Sequence, residues 1–318
     1  MQEYLISIVI PVFNEGGEIN KNVHIIHEVL DENKIKHEFV LIDDGSSDDT
    51  WSHILKIALE LPQIRGVRFS RNFGKEAAIC AGIDQVKGDA CILMDSDLQH
   101  PPAYIPEMVR LWKDQGYEVV EGVKSSRGEE SFINRTGAKF FYYLMRKLSG
   151  IDLQGASDFK LLDRKVVNAC RRLGERNTFF RGISSWVGFR RISFPFDVAE
   201  RSNGESKWSF FKLFKLSITA ITSFTSIPLQ LVILMGILFL FGSVVLGIQT
   251  LYKYLSGQAV SGFTTVILML LIIGSTLMIS LGIIGTYIAK IFDEIKGRPR
   301  YIVTETSEPA NICEEKGV

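Results

Sequence analysis

The chain has 318 residues, 46% of them hydrophobic, and its 36 basic side chains are balanced by 36 acidic ones. This composition excludes an intrinsically disordered chain and a disulfide scaffold. The charge balance gives no general electrostatic reason to bind nucleic acid, and the length is typical of about two domains. The four cysteines lack the close pairing of a zinc or redox motif, so we expect reduced thiols and no metal bound through sulfur.

Residues 1 to about 125 alternate short β-branched runs with helix-like segments, the pattern of a parallel sheet covered by helices. In chain order, the predicted strands are Ile6–Val12, Phe39–Ile42, Ile64–Phe69, Ala90–Met94 and Glu118–Gly122. The predicted helices between them are Glu18–Asn33, Asp49–Leu61, Lys75–Val86 and Pro102–Gln115. This alternation predicts an α/β fold.

Three polar clusters follow the predicted strands, at the carboxyl ends where ligands of open α/β sheets bind. The first is Pro11-Val12-Phe13-Asn14-Glu15, the second begins with Asp43 and Asp44, and the third runs from Asp95 to His100. Acidic groups gathered at one edge of a sheet repel one another unless a positive group is bound. We therefore expect a cation or a basic side chain among them.

Asp95 and Asp97 flank one residue, so both side chains can point to the same side at the end of a strand. Their oxygens suit Mg²⁺ or Mn²⁺, which take one or two carboxylates and complete their shell with water and substrate phosphate. The alternative for this short motif alone is a solvated turn or a helix N-cap.

Asp43 and Asp44 end an apolar strand, and Gly45 allows a sharp turn after them. Acidic residues at such positions accept hydrogen bonds from a nucleobase or ribose in nucleotide folds, which is the interpretation we favour. The alternative is turn and cap chemistry, which we favour for Asp48 and Asp49.

The segment Arg71-Asn72-Phe73-Gly74-Lys75-Glu76 opens a predicted helix, where a glycine and basic residues can meet an anion. A solvated loop is the alternative. The segment lacks the spacing of the Walker P-loop and of the dinucleotide Gly-x-Gly-x-x-Gly motif, which argues against an NTPase and a dehydrogenase.

Two long stretches, Ile227–Gln249 and Thr264–Ala289, contain no charged residue. Each exceeds the roughly 20 residues that a membrane-spanning helix needs, which favours a transmembrane hairpin over a pair of buried core helices. Basic residues flank the hairpin on its outer sides, whereas Lys253 alone marks the turn. The positive-inside rule therefore predicts a cytoplasmic N-terminal domain and C-terminal tail.

The segment before the first span, from Lys207 to Ile227, mixes aromatic residues with lysines. This composition predicts an amphipathic helix at the membrane interface, with its aromatic side inward and its lysines near lipid headgroups. Glycines within the spans permit close helix packing, which is compatible with a homo-oligomer.

Taken together, these motifs resemble the polyprenyl-phosphate glycosyltransferases of glycosyltransferase family 2, which include dolichol-phosphate mannose synthase and the bactoprenol glucosyltransferases. The resemblance extends from the Pro11 cluster to Gly297-Arg298-Pro299-Arg300-Tyr301. The further segments that carry it are Ser157-Asp158-Phe159-Lys160-Leu161-Leu162, Phe180-Arg181-Gly182-Ile183-Ser184-Ser185-Trp186-Val187-Gly188 and Gly204-Glu205-Ser206-Lys207-Trp208-Ser209. The resemblance implies a GT-A fold with a mostly parallel sheet.

The resemblance also implies inverting transfer of a hexose from a nucleotide sugar, most simply UDP-glucose, to a polyprenyl phosphate such as undecaprenyl phosphate. Asp158 matches the family's catalytic aspartate, and Arg127 and Arg135 fall in a region that meets the lipid phosphate. The expected ligands of Mg²⁺ or Mn²⁺ are Asp97, Asp95 and Gln99. The expected nucleotide-sugar contacts are Pro11, Val12, Asn14, Glu15, Asp43, Asp44, Lys75, Asp95, Ser96, Asp97, Arg201 and Lys207.

The expected domain order is a GT-A domain at 1–206, an interfacial helix at 207–226, spans at 227–252 and 264–291 joined by a turn at 253–263, and a tail at 292–318. We expect a multi-pass protein of the inner membrane. Mannose or an aminoarabinose derivative is an alternative donor sugar. A processive polysaccharide synthase is disfavoured because the Gln-x-x-Arg-Trp motif is absent, and a non-catalytic nucleotide-binding scaffold is the alternative of another class.

Overall fold

The computed structural model describes residues 4–124, 156–173, 180, 182, 186–197, 227–257 and 262–307. The chain forms two compact units, one comprising residues 1–209 and 299–318 and the other residues 210–298. The predicted interfacial helix at 207–226 lies outside the described residues.

The first unit is built on an eight-stranded sheet with the order β7-β5-β6-β4-β1-β2-β3-β8. Its strands are β1 (Ile6–Val12), β2 (His37–Asp43), β3 (Ile64–Phe69), β4 (Ala90–Leu93), β5 (Val119–Lys124), β6 (Ala156–Asp163), β7 (Arg191–Phe196) and β8 (Val303–Thr306). β1 pairs in parallel with β2 and β4, β2 with β3, and β5 with β7. β6 runs antiparallel to both β4 and β5, and β8 runs antiparallel to β3.

Helices cover both faces of this sheet. The helices are α1 (Ile19–Glu32), α2 (Thr50–Glu60), α3 (Lys75–Gln85), α4 (Ile105–Lys113) and α5 (Arg164–Arg172), with a short 3₁₀ turn at Pro102–Tyr104. Ile6, Ile8 and Ile10 join the buried cluster formed with α1, α2 and α4. The alternate residue Val9 faces α3, where it leaves no room for a side chain at Gly82. Strands β1 and β4 are therefore buried along almost their whole length, as expected for a parallel sheet.

An ion pair is buried between β5 and β6. Glu121 and Lys160 are register partners, and Lys160 Nζ lies 2.9 Å from Glu121 Oε1 with both side chains almost completely enclosed. A shift of β6 would leave both charges buried without a partner, which is strongly destabilising. The pair therefore disfavours any other register for β6.

The last strand belongs to the segment that the sequence predicts as a tail, 292–318. Glu305 on β8 accepts hydrogen bonds from Arg68 Nη1 on β3 and Trp51 Nε1 on α2, both at 2.8 Å. The chain thus returns to the first unit after the second unit. If the second unit is a two-span hairpin, both of its ends must lie on the same side of the bilayer.

Replacing Glu305 with alanine is expected to destabilise the first unit, because it removes both of these hydrogen bonds. The expected loss is about 1–2 kcal/mol, the scale of two hydrogen bonds of which one involves an ion pair. Thermal unfolding followed by tryptophan fluorescence measures it, and Glu32→Ala at an exposed helix end is the matched control. Equal melting temperatures for the two variants would contradict the proposed anchoring of β8.

The second unit contains two long helices, α6 (Ile227–Leu255) and α7 (Phe263–Ile295). Within them, Pro228–Lys253 and Met269–Ile295 are long and apolar enough to cross a membrane, with mean hydropathies of 2.8 and 2.1. Large apolar side chains such as Leu238, Phe241 and Met278 are exposed along both helices. Such a surface is costly in water and suited to lipid, so we interpret these helices as the predicted spans.

Candidate active site

A cavity of about 400 Å³ lies where β1, β2 and β4 end and α3 begins. This volume is within the usual range for small-molecule sites. Its wall contains Pro11, Val12, Phe13, Glu15, Asp44, Asn72, Gly74, Lys75, Asp95, Ser96 and Asp97. All three polar clusters that the sequence singles out therefore contribute to one cavity.

The loop after β1 is tied to the loop after β2 through Asn14. This residue adopts a positive φ of 54°, which asparagine tolerates better than most residues. Its amide N–H donates to Ser46 Oγ, and its side-chain Oδ1 accepts from the Ser47 amide, both at 2.9 Å. Asn14 does not line the cavity, so its observed contacts position the loop that carries Phe13 and Glu15.

The two aspartates that end β2 have different environments. Asp43 is fully buried, with Oδ1 accepting from the Ser46 amide at 2.9 Å and Oδ2 lying 3.4 Å from Arg68 Nε. Asp44 lines the cavity, and its carboxylate accepts the amide N–H groups of Phe73 at 2.7 Å and Gly74 at 2.9 Å. Burial raises the pKa of Asp44, while these two backbone donors act in the opposite direction.

Gly74 explains how α3 can begin beside the cavity. Its φ of 98° is a conformation that residues with a Cβ rarely adopt, and Lys75 follows it as the first residue of the helix. The side chain of Lys75 reaches across the cavity wall to two carboxylates. Its Nζ lies 2.6 Å from Asp95 Oδ1 and 2.6 Å from Asp158 Oδ2.

Electrostatics keep Lys75 charged. Burial by itself lowers the pKa of this amine, but the charges and hydrogen bonds of Asp95 and Asp158 raise it above its ordinary value. The expected positive group among the acidic residues is therefore a side chain of the chain itself.

Asp158 reaches this position because β6 is antiparallel to β4. Leu93, the last residue of β4, is paired with Lys160, so the residues that precede Lys160 on β6 extend past the carboxyl end of β4. Asp158 is two residues before Lys160 and is itself buried. The predicted catalytic residue thus approaches Asp95, although it does not line the cavity.

The loop after β4 carries the expected metal ligands. Asp97 Oδ1 accepts from the Gln99 amide at 3.1 Å, and His100 Nδ1 accepts from the Asp95 amide at 3.2 Å. Burial lowers the pKa of His100, which therefore stays neutral and acts as an acceptor. Asn22 on α1 donates to the Ser96 carbonyl at 2.7 Å and holds the loop from the other side.

The donor set fits a divalent cation that prefers oxygen. Asp95 and Asp97 both line the cavity, and within the described part of the chain Asp97 forms no ion pair with a basic side chain. A cation such as Mg²⁺ or Mn²⁺ needs one or two carboxylates and space for water and phosphate, and the cavity provides both. Gln99 does not line the cavity, so its predicted ligand role stays a prediction.

Glu15 faces these aspartates. Burial raises its pKa first of all, the Ser96 hydrogen bond lowers it, and the charges of Asp97 and Asp95 raise it further. The folded protein therefore binds a proton more readily than the unfolded chain, and stability falls as the pH rises through the raised pKa.

Glu15→Gln is expected to raise the melting temperature of the ligand-free protein at pH 7. It is also expected to reduce the difference between the melting temperatures at pH 7 and pH 5. The amide keeps a partner for Ser96 and removes the repulsion. Glu28→Gln, at an exposed position on α1, is the control. A lower melting temperature for Glu15→Gln at pH 7 would show that its charge is stabilising instead.

Three residues of the cavity wall are absent from the predicted site. Phe13, Asn72 and Gly74 all lie within segments singled out in the sequence, but loop backbone conformation decides which of their residues face inward. Of the predicted contacts, Arg127, Arg135, Arg201 and Lys207 lie outside the described residues.

The profile of the family described as Glycosyl transferase family 2 matches residues 7–171, which include every cavity residue and Asp158. The chain belongs to glycosyltransferase family 2. Family membership and the observed sheet confirm the predicted α/β GT-A fold and the prediction of an enzyme.

Relatives of this family 2 glycosyltransferase match it along most of its length. The Bacillus subtilis protein CsbB, named as a glycosyltransferase, is 40% identical over 315 residues, which is 97% of this chain and 94% of the relative. The SfII prophage-derived bactoprenol glucosyl transferase of Shigella flexneri is 36% identical, covering 95% of this chain and 98% of the relative. A solved structure, glucosyl-3-phosphoglycerate synthase from Mycobacterium tuberculosis, is 22% identical, with a TM-score of 0.47 and coverage of 70% and 80% of the two chains.

Proposed function

We propose that the chain transfers glucose from UDP-glucose to the phosphate of undecaprenyl phosphate, with inversion at the anomeric carbon and with Mg²⁺ or Mn²⁺ as cofactor. The observation that carries the proposal is the cavity lined by Asp95 and Asp97, beside which Lys75 joins Asp95 to Asp158. The Shigella relative is named a bactoprenol glucosyl transferase, and this name supports glucose as the sugar and a polyprenyl phosphate as the acceptor.

The donor binds in the cavity. Asp44 and the loop of Pro11, Val12 and Phe13 receive the nucleoside, and Asp97 and Asp95 would hold the cation that accompanies the diphosphate. When bound, this cation supplies Lewis-acid stabilisation of the charge that develops on the departing diphosphate. Lys75, which already lies on the cavity wall, adds a second positive charge near the same group.

The acceptor needs little activation. A phosphate monoester has a second pKa of about 6, so its attacking oxygen is largely deprotonated near neutral pH. That oxygen forms the new bond to the anomeric carbon while the bond from this carbon to the diphosphate oxygen of UDP breaks. One displacement on the face opposite the leaving group inverts the configuration.

Asp158 then serves as a positioning group more than as a strong base. Its carboxylate accepts a hydrogen bond from Lys75 at 2.6 Å, which fixes both side chains. Arg127 and Arg135 are proposed to bind the acceptor phosphate, because guanidinium can bind phosphate in bidentate fashion. Arg201 and Lys207 are proposed to close over the donor diphosphate.

Location follows from the acceptor. A polyprenyl phosphate keeps its headgroup at the membrane surface, so a water-soluble donor meets it only there. The apolar helices α6 and α7 support attachment to the inner membrane, and the basic residues that flank them support a cytoplasmic active site.

A donor screen tests the sugar. The purified full-length protein is incubated with undecaprenyl phosphate, Mn²⁺ and either UDP-glucose, GDP-mannose or a UDP-aminoarabinose derivative, and the lipids are analysed by mass spectrometry. We expect one hexose per lipid from UDP-glucose. A faster reaction with another donor would overturn the assignment of glucose as the donor sugar. A ladder of longer products would favour a processive synthase. A chain that binds donors without turnover would favour the scaffold.

A further inference from the structure

A second cluster of titratable side chains lies at the other end of β2, away from the cavity. His27 and Asp31 are one turn apart on α1, and His37 is the first residue of β2. β2 runs from His37 to Asp43, and at about 3.3 Å per residue it separates His37 from the cavity end of the strand by roughly 20 Å. This cluster is therefore distinct from the active site.

The three side chains converge closely enough to contact one bound ion. His27 Nδ1 lies 2.9 Å from His37 Nε2, and His27 Nε2 lies 3.5 Å from Asp31 Oδ2. These contacts use different nitrogens of His27, and one of the two would bind a shared ion. One ligand atom from each of the three residues lies within 4.8 Å of the others. The His37 side chain is only 4% exposed, whereas that of Asp31 is 63% exposed, so the cluster opens to solvent on one side.

The hydrogen bonds around the rings show that the cluster is rich in lone pairs. His37 Nδ1 lies 2.8 Å from the Ile35 carbonyl, which can only accept, so this nitrogen carries the proton and Nε2 presents a lone pair to His27. A neutral His27 has one proton for two acceptors, the His37 lone pair and the Asp31 carboxylate. In addition, the Gln63 amide lies 3.4 Å from His27 Nδ1, where a donor suits a lone pair. Ring lone pairs and a carboxylate therefore face one another in this cluster, an arrangement that a bound cation would satisfy.

We propose that His27, Asp31 and His37 bind a divalent transition-metal ion, with zinc as the best match. Two imidazoles and a carboxylate are typical zinc ligands, and the fourth position is left to water. Metal-bound histidines usually donate their other ring N–H to a carbonyl or carboxylate, as His37 does to Ile35. Zinc bonds of about 2.0–2.2 Å place tetrahedral ligands about 3.4 Å apart, so the two rings need to separate only slightly.

The ion would tie the second half of α1 to the start of β2. Because the site is remote from the cavity, removing the ion is expected to lower the stability of the fold more than the rate of glycosyl transfer. It is independent of the proposed sugar and lipid substrates.

The test uses the full-length protein without a histidine tag, stripped with EDTA and exchanged into buffer. Calorimetric titration with zinc chloride and metal analysis are expected to give about one zinc ion per chain, with a higher melting temperature in the bound form. Asp31→Asn and His27→Gln are expected to weaken zinc binding at least about tenfold. His24→Gln, on the same helix, and Asp97→Ala, in the cavity, are expected to leave it unchanged.

Two results would overturn the proposal. One is a folded chain that binds no zinc. The other is a chain that binds zinc equally well in both Asp31→Asn and His27→Gln.

Discussion

Replacing Asp97 with alanine is expected to reduce kcat at least about 100-fold, the scale on which a lost electrostatic contact to a transition state acts. Asp97 lines the cavity, and within the described residues no basic side chain pairs with it, so its charge is available to a cation. Without Asp97, the remaining cavity carboxylate of that loop is Asp95, which already forms an ion pair with Lys75. We therefore expect the Mn²⁺-dependent part of donor binding to be lost as well.

The measurement pairs turnover with calorimetric titration of UDP-glucose, with and without Mn²⁺. Asp114→Ala, at an exposed position after α4, is the matched control and should retain full activity. Folding is expected to survive the Asp97 substitution, because it removes a charge that is repelled by Glu15 and Asp95. Full turnover by a folded Asp97→Ala protein would remove the cation from the mechanism.

Replacing Lys75 with methionine is expected to have a comparable effect on kcat and, unlike the Asp97 change, to destabilise the protein. Methionine keeps the length of the side chain but leaves Asp95 and the buried Asp158 without their shared cation. Breaking a fully buried ion pair costs about 3–5 kcal/mol, and we expect about 2 kcal/mol here because solvent reaches Lys75.

Three variants separate the catalytic from the structural part of this role. Lys87→Met, at an exposed position beyond the end of α3, is the control for the substitution itself. Lys75→Met combined with Asp158→Asn should recover stability without recovering turnover. If the double variant regains both, Lys75 acts only by neutralising Asp158. If Lys75→Arg restores kcat while Lys75→Met does not, a positive charge at this position is required.

The pH dependence of this ion pair has a definite sign. The folded-state pKa of Lys75 lies above its ordinary value of 10.5, so its contribution to stability is complete below that value and is lost as the pH rises through the raised pKa. Titration of Lys75 should therefore cause no loss of activity between pH 7 and pH 9.

Most of the first half of the fold is predictable from local pattern. The first five strands and four helices lie where the sequence places them, with ends that differ by three residues or fewer. β1 and β4 are runs of buried β-branched and apolar residues, which mark a central parallel strand without further information. The polar residues at the ends of these strands then fall on one edge of the sheet by geometry.

The later strands are not predictable in the same way. All four residues of β8 are exposed, and only one of them, Val303, is apolar. No alternation of apolar residues therefore marks the strand, which is defined by its pairing with β3. The sequence of β6 is recognisable as the family motif around Asp158. Its antiparallel direction, however, depends on long-range pairing with β4 and β5.

The same limit applies to the candidate site. Lys75 is recognisable as a basic residue at a helix start, which suggests an anionic ligand, whereas its contacts are with carboxylates 20 and 83 residues away in sequence. Asp43 and Asp44 are both buried, but only Asp44 lines the cavity. This difference likewise depends on tertiary contacts, those of Asp43 with Arg68 and of Asp44 with the Phe73 amide. Position in a motif therefore identifies these residues, and tertiary contacts assign their roles.

In the proposed reaction, a lipid phosphate attacks the anomeric carbon of the donor in the cavity lined by Asp95, Asp97 and Lys75. The most direct measurement supplies ¹³C-labelled UDP-glucose and undecaprenyl phosphate to the purified protein and determines the mass of the lipid product. We expect a lipid that has gained one labelled glucose and still carries a single phosphate, with UDP released in equal amount. A product with two phosphates, which indicates transfer of glucose phosphate, or no labelled lipid from folded protein, would contradict it.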